Sequence, residues 1–320
     1  MECYEGRMRQ SCISPIERLR EVARSPVERR NLRNGLLFIS PWLLGLVAFT
    51  LYPICASFYW SFCRFDGFSP PVFVGLDNYK IMLFEDPLFW RALFNTFYMV
   101  IFALPITLVF SLLLSILLNM KVRGQPIYRT ILYLPSIAPV IAVSVLWLWL
   151  LNPEYGLINR LFHFVGINMV GWLIDPKLAK PALIIMGLWQ VGGSVLIFLA
   201  GLQEVPTHLY EAADVDGAGI LTKFWHVTLP MLSPIILFNL IMGIIGYFQY
   251  FTQAFVMTQG GPQDATLFYA LQLFNRAFLD FELGYASAMA WLLFILILAA
   301  TIIVLRTSRR WVYYEGETRG

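Results

Sequence analysis

Three observations predict an all-α membrane protein with six transmembrane helices. Of the 320 residues, 58% are hydrophobic. Only 13% are charged, against roughly a quarter in a soluble domain. Six separate runs are long and apolar enough to cross a bilayer, each supplying about 20 residues that rise about 1.5 Å apiece through a hydrocarbon core of about 30 Å.

Residues 1–34 come first, rich in Arg and Glu with the pairs Ser14-Pro15 and Ser25-Pro26. They read as a cytoplasmic tail beside anionic lipid headgroups rather than as a domain. The membrane domain, 35–306, holds spans at 35–62, 93–119, 131–151, 181–203, 232–257 and 284–305, none of which contains Asp, Glu, Lys or Arg. The first run follows a long Arg-rich segment and precedes five more, so it is a span and not a cleaved signal. Pro41, Pro53, Pro105, Pro135 and Pro139 lie inside spans, and kinks are expected there. Residues 307–320 form a second tail. Lys and Arg divide 16 to 7 between the side of the termini and the other side, which places both termini in the cytoplasm.

Several function classes drop out. A net charge of +3 is too small to point to nucleic acid. Cys3, Cys12, Cys55 and Cys63 show no Cys-x-x-Cys pair, and His163, His208 and His226 are far apart. No metal site and no catalytic residue are expected. The chain has no Gly-x-x-x-x-Gly-Lys-Ser/Thr phosphate loop, so no ATP binding of that kind is expected in it.

The most informative segment is the polar loop at 203–230. Pro206 suits a first helical turn, Leu209, Ala212 and Ala213 share a face, and Gly217 with Gly219 ends the helix before a second short one leads to Pro230. Small alanines would let a partner's groove close around such a helix. Glu211, near its start, is placed to pair with a basic partner residue.

Glu211-Ala212-Ala213, then Gly217, then Val227-x-Leu229-Pro230 resembles the EAA loop of ATP-binding-cassette (ABC) importer permeases. Arg33-Asn-Gly-Leu-Leu-Phe-Ile-Ser-Pro-Trp42, Gly75-Leu-Asp-Asn-Tyr79 and Gly260-Gly-Pro262 resemble the binding-protein-dependent sugar branch of that family, typified by the maltose and glycerol-3-phosphate permeases. The likeness spans residues 30–315, and Val227 stands where the family usually has Ile. It implies a type I importer (MetI-like) fold in a bacterial or archaeal cytoplasmic (inner) membrane. By the same resemblance the loop is a coupling helix in a cleft of an ATPase, with Glu211, Ala212, Ala213, Gly217, Leu229 and Pro230 carrying the contact. The implied partners are a second homologous permease, two ATPase subunits that bind ATP and Mg, an extracytoplasmic solute-binding protein, membrane lipid, and a carbohydrate substrate. That carbohydrate is a sugar or oligosaccharide, a sugar phosphate, or an acidic oligosaccharide.

Polar groups inside spans nominate a solute pathway, since lipid penalises them. Asn239, Gly243, Gly246, Tyr250 and Gln253 fall on one stripe of the fifth span, with Tyr247, Gln249 and Thr252 beside it. Gly187, Gln190 and Ser194 form a shorter stripe in the fourth, flanked by Trp189 and by Gly192-Gly193, which loosen the helix. Amides, hydroxyls and ring faces are what a sugar requires, and Tyr247, Gln249 and Tyr250 also align with the sugar site of the maltose permease. Helix packing is the competing use of each such residue. Trp147 and Trp149 read as an interfacial belt. A secondary carrier or channel remains the alternative, but no span holds a carboxylate to relay protons or sodium, and the loop would then lack a purpose. A membrane enzyme would need a nucleophile and base that the spans lack.

Overall fold

The computed structural model describes residues 26–120, 123–166 and 168–313. Four helical runs, Arg29–Trp60, Pro87–Asn119, Ser233–Met257 and Leu283–Ser308, are long and apolar enough to cross a membrane. Two bent pairs, Gln125–Ile137 with Val140–Leu150 and Ala179–Trp189 with Gly192–Glu204, each qualify as one more. With each pair taken as one crossing there are six spans, first to sixth in chain order.

The chain divides into two units, residues 1–59 and 60–320. The first unit is essentially one span. Its helix begins at Pro26, within the segment the sequence assigns to a tail, and Phe38, Trp42, Leu44 and Phe49 are exposed along it, as in a helix solvated by lipid. Residues 1–25 and 314–320, the remaining parts of both tails, lie outside the described residues.

Prolines shape the spans less uniformly than the sequence predicts. A proline removes one helical hydrogen bond and crowds the carbonyl four residues back. At Pro53, Pro105 and Pro230 the preceding turn widens to absorb this. Tyr52 N–H donates to Val47 O, Leu104 N–H to Met99 O and Leu229 N–H to Phe224 O, each reaching one residue further than an α-helical bond. Pro41 and Pro135 sit inside continuous helices. Pro139 breaks its span outright: Ala138 is driven to ψ 137°, the extended conformation favoured before proline, and the two halves meet at 98°. The fourth span bends by 51° with no proline at the break. There Gly192 lies so close to the third span that an added Cβ would stand 2.8 Å from Leu132 O.

In the second unit two buried clusters share the second span. One joins Met99 and Ala103 to Val143, Leu183, Met186 and Ala254. The other joins Phe89 and Leu104 to Ile244, Phe248 and Met289. Leu104 packs into the notch left by Gly243, where an added Cβ would approach its Cδ1 to 2.2 Å. Gly243→Val is therefore expected to lower stability by about 1–3 kcal/mol through overpacking. An unchanged thermal-unfolding midpoint would show that the notch is not filled.

At the end of the spans remote from the 203–230 loop, Asp86 caps the second span by accepting from Leu88 N (2.9 Å) and Phe89 N (3.3 Å). Its Oδ2 accepts from Arg276 Nη2 and Tyr285 OH, both at 2.8 Å. Nearby, Gln259, Gln263 and Asp264 hold positive φ values of 50°, 49° and 58°, unusual for residues with a Cβ. Arg91 pairs with Asp264 at 2.8 Å, and Asn95 Nδ2 donates to Asp264 O at 2.8 Å and Leu267 O at 3.0 Å. The second span thus holds this loop in place. A two-stranded antiparallel ribbon, Cys63–Arg64 with Val72–Phe73, pairs Cys63 with Phe73 and Arg64 with Val72 at the same end.

Candidate functional site

The 203–230 loop folds as a helix, a tight reversal and a second helix. Pro206 is the residue before the first helix, at ψ 128°, and Thr207–Val215 follows. Gly217 has φ +72°. It allows Gly217 N–H to donate to Asp214 O (3.0 Å) and Ala218 N–H to Ala213 O (2.9 Å), the paired bonds of a Schellman C-cap. The Ala213 and Gly217 positions are thus coupled through the backbone. Lys223 Nζ donates to Asp214 Oδ1, and Tyr210 OH shares a 3.0 Å hydrogen bond with Thr228 Oγ1. These tie the Ile220–Lys223 helix to the first.

Glu211 and Ala212 are exposed, while Leu209, Ala213, Leu229 and Pro230 are half-buried. Around them Val215, Ile220, Leu221 and Trp225 are 89%, 87%, 75% and 61% exposed. An apolar cluster left open on a polar, well-formed loop is a candidate contact surface. Behind the loop a cavity of about 300 Å³, lined by Asn119, Leu202, Tyr210, Ile220 and Phe224 among others, separates it from the end of the second span.

Inside the spans the nominated residues separate into groups. The fifth-span stripe does not run through: the helix ends at Phe248 and resumes at Thr252, so Tyr250 and Gln253 are out of register with Asn239. Asn239 is 5% exposed and donates to Ile235 O of its own helix at 3.0 Å. With Gly243 it belongs to packing. Gly246 and Gln249 are exposed, and Gln253 is half-buried. Tyr247 and Tyr250 come together with rings stacked at 6.2 Å, and Tyr247 OH meets Thr107 Oγ1 of the second span at 2.7 Å. In the fourth span Gln190 stands at the bend and Ser194 is half-buried just beyond it.

Trp189 meets Trp147 edge to face at 6.2 Å. Trp147 is therefore not a belt residue. It packs on the same buried cluster as Tyr247 and Tyr250, and its buried Nε1 lacks a partner among the described residues. Trp149 remains exposed, as a belt residue is. A cavity of about 360 Å³ lies beside this pair, lined by Trp147, Trp189, Leu132, Pro135, Leu188 and Val191. It offers ring faces, against which the apolar side of a saccharide can pack. At the far end a second cavity, about 480 Å³, has charged walls from Arg64, Asp66, Arg276 and Glu282.

Sequence reasoning missed Trp147 in this role, and it missed the Asp86, Arg276 and Tyr285 network. Asp86-Pro87 carries a local helix-start signature, but no pattern announces a partner as distant along the chain as Arg276. Among the described residues no cluster of His, Cys, Asp or Glu could hold a metal ion.

Six apolar helical crossings, two of them bent pairs, with an ordered and partly apolar loop at 203–230 define a multi-pass membrane protein. The chain belongs to the family of binding-protein-dependent transport system inner membrane components, whose model matches residues 87–313. It is 43% identical to the probable ABC transporter permease protein YesP of Bacillus subtilis, over 90% of this chain and 94% of that protein. Against the trehalose/maltose transport system permease protein MalF of Thermococcus litoralis it is 33% identical, over 89% and 97%. A chain in the crystal structure of a bacterial ABC transporter involved in the import of the acidic polysaccharide alginate superposes with a TM-score of 0.77 at 22% identity, covering 89% of this chain and 99% of that one. The fold is thus the helical fold of ABC importer permeases.

Proposed function

We propose that this chain is one permease subunit of an ATP-driven importer that moves a carbohydrate across the cytoplasmic membrane. The observation that carries the reading is the docking loop. Its Schellman turn at Gly217 presents Glu211 and Ala212 beside the exposed Val215, Ile220, Leu221 and Trp225, a ridge shaped to enter a groove on another protein. That protein is an ATPase, present in two copies, which binds ATP and Mg. Both termini and the loop face the cytoplasm, in line with the 16 to 7 division of Lys and Arg. A second, homologous permease completes the membrane part, and an extracytoplasmic solute-binding protein docks at the far end, where the charged cavity lies. ATP draws the ATPase subunits together, the loops follow, and the spans rock as rigid bodies to expose the solute alternately to each side. The Tyr247, Tyr250 and Thr107 group and the Trp147 and Trp189 pair supply the hydroxyls and ring faces that line the route.

The carbohydrate class is supported by relatives named for trehalose and maltose transport. The test is to purify the chain by a tag together with the subunits encoded beside it, reconstitute in lipid, and follow ATP hydrolysis with a panel of sugars and the binding protein. Sugar-stimulated hydrolysis by a copurified ATPase is the expected result. A stable membrane protein that carries solute with no ATPase attached would overturn the proposal.

A further inference from the structure

Lys180 is the second residue of the Ala179–Trp189 helix that opens the fourth span. It is half-buried, and among the described residues it forms no ion pair. Its Nζ donates to Asn95 Oδ1 at 2.8 Å and stands 4.7 Å from the Tyr98 ring centroid and 5.8 Å from that of Phe94. A helix end near the headgroups accommodates a lysine, but this ammonium is half-buried and has no ion-pair partner among the described residues, which nominates it as a point on a solute route.

The surroundings aim the ammonium rather than neutralise it. Asn95 is 3% exposed, and both of its Nδ2 bonds go to backbone carbonyls, Asp264 O and Leu267 O. Its Oδ1 is thereby fixed toward Lys180. One turn along the same helix, Arg91 is matched by Asp264 at 2.8 Å, so the second cation of this region is satisfied and Lys180 is not. An ammonium has three donors, and Asn95 takes one. The rings of Tyr98 and Phe94 support the cation by their quadrupoles and leave its charge intact. Below it, Phe94, Tyr98 and Phe102 follow at a spacing of four along the second span. The Tyr98 and Phe102 rings are 4.8 Å apart, and Phe94 and Phe102 are 69% and 50% exposed.

A positively charged head beside the exposed Phe94 and Phe102 rings, with half-buried Tyr98 between them, is complementary to a sugar chain with a negative group: apolar ring faces pack on aromatics while the anion meets the ammonium. We propose that Lys180 reads the carboxylate of the transported solute, which places the substrate among acidic oligosaccharides of the uronate kind. This rests on the carbohydrate-importer reading above and narrows it.

The test uses the complete transporter in nanodiscs without the binding protein, so that delivery does not enter. Equilibrium binding is measured for trimers of glucuronate, galacturonate and mannuronate, and for the same trimers with each carboxylate reduced to a hydroxymethyl group. Lys180→Met is expected to weaken binding of the preferred acidic trimer about tenfold to a hundredfold, the worth of a charge-assisted hydrogen bond. The reduced trimer should bind wild type and variant alike, and Lys180→Arg should restore most of the acidic binding. Equal weakening of both trimers would mean a structural role through Asn95 and would overturn the proposal. So would a loss that vanishes when phosphatidylglycerol is left out of the nanodisc, because the ammonium would then serve a lipid phosphate. Binding of both trimers unaffected by Lys180→Met would overturn this inference alone. Binding of a reduced trimer but of no acidic one by the wild-type complex would overturn this inference and leave the carbohydrate reading standing.

Discussion

Asp86→Ala is expected to destabilise the protein by about 4 kcal/mol, read as a drop of several degrees in the thermal-unfolding midpoint in detergent. Two contributions add. Breaking a buried ion pair by removing one partner costs about 3–5 kcal/mol, and Asp86 and Arg276 are 4% and 23% exposed at the side chain. The lower end of that range applies, because Arg276 keeps Glu282 at 3.1 Å and Asp280 at 3.5 Å. Loss of the cap to Leu88 N and Phe89 N adds about 1 kcal/mol. Asp86→Asn retains the capping oxygen and loses the charge, so the gap between the two variants isolates the cap. If both variants melt with the wild type, the network is not a stabilising element.

The same group gives the fold an acid limit. Burial pushes the Asp86 carboxyl up, but the Tyr285 hydrogen bond and the Arg276 guanidinium outweigh it and hold the carboxyl below its ordinary 3.8. With the folded value lower than the unfolded one, the unfolded chain binds more protons in between, so stability rises with pH across that window. The contribution is fully present above about pH 4 and is lost as pH falls through the depressed folded value. In Asp86→Ala this part of the acid sensitivity should be missing.

How much of this could be read from the chain varies with the distance over which the determinants act. The six crossings follow from local composition, and with each bent pair taken as one span six are found, the second helix starting earlier than the apolar run, at Pro87, and the third at Gln125. Those extensions carry Arg91 and Arg129, which a rule of uncharged spans excludes but which a helix end near the headgroups accommodates. The reversal at Gly217 was legible because αL backbone has a strong residue preference. The pathway was less so. A helical stripe assumes an unbroken helix, and the interruption at Gln249–Phe251 is coupled to tertiary packing, Tyr250 lying edge-on to Phe268 at 5.2 Å. Asn239 and Gly243 obey the same periodicity as a solute-facing residue; only Leu104 opposite Gly243, and the burial of Asn239 with its bond to Ile235 O, set them among packing. Lys180 is hidden for a related reason: it stands just outside an apolar run, yet the helix that contains it begins before it, at Ala179.

In the docking loop, Gly217→Val is expected to reduce solute transport at least about tenfold while leaving the amount of protein in the membrane unchanged. No atom lies within 4 Å of a Cβ added at Gly217, so steric exclusion by neighbours is not the cause. The backbone is: at φ +72° a β-branched residue is forced out of the left-handed region, at a cost of about 1–2 kcal/mol. The bonds from Gly217 N–H to Asp214 O and from Ala218 N–H to Ala213 O then give way together. The strain is confined to an exposed loop, remote from the clusters around Met99 and Leu104, so assembly survives while the ridge formed by Glu211, Ala212 and Val215 loses its shape. Asn tolerates left-handed backbone, which makes Gly217→Asn the informative companion. It should keep most transport, whereas a general sensitivity to side chains at this position would disable both. Glu211→Ala leaves the turn intact and removes one exposed charge. It is expected to lower transport and sugar-stimulated ATP hydrolysis together by about tenfold, the worth of one charge-assisted contact across an interface. Normal transport in both Gly217→Val and Glu211→Ala would remove the loop from the coupling machinery. Normal hydrolysis with failed transport would leave the loop docked and shift the defect to the spans, where the Tyr247 hydroxyl and the Trp147 and Trp189 pair are the groups to vary next.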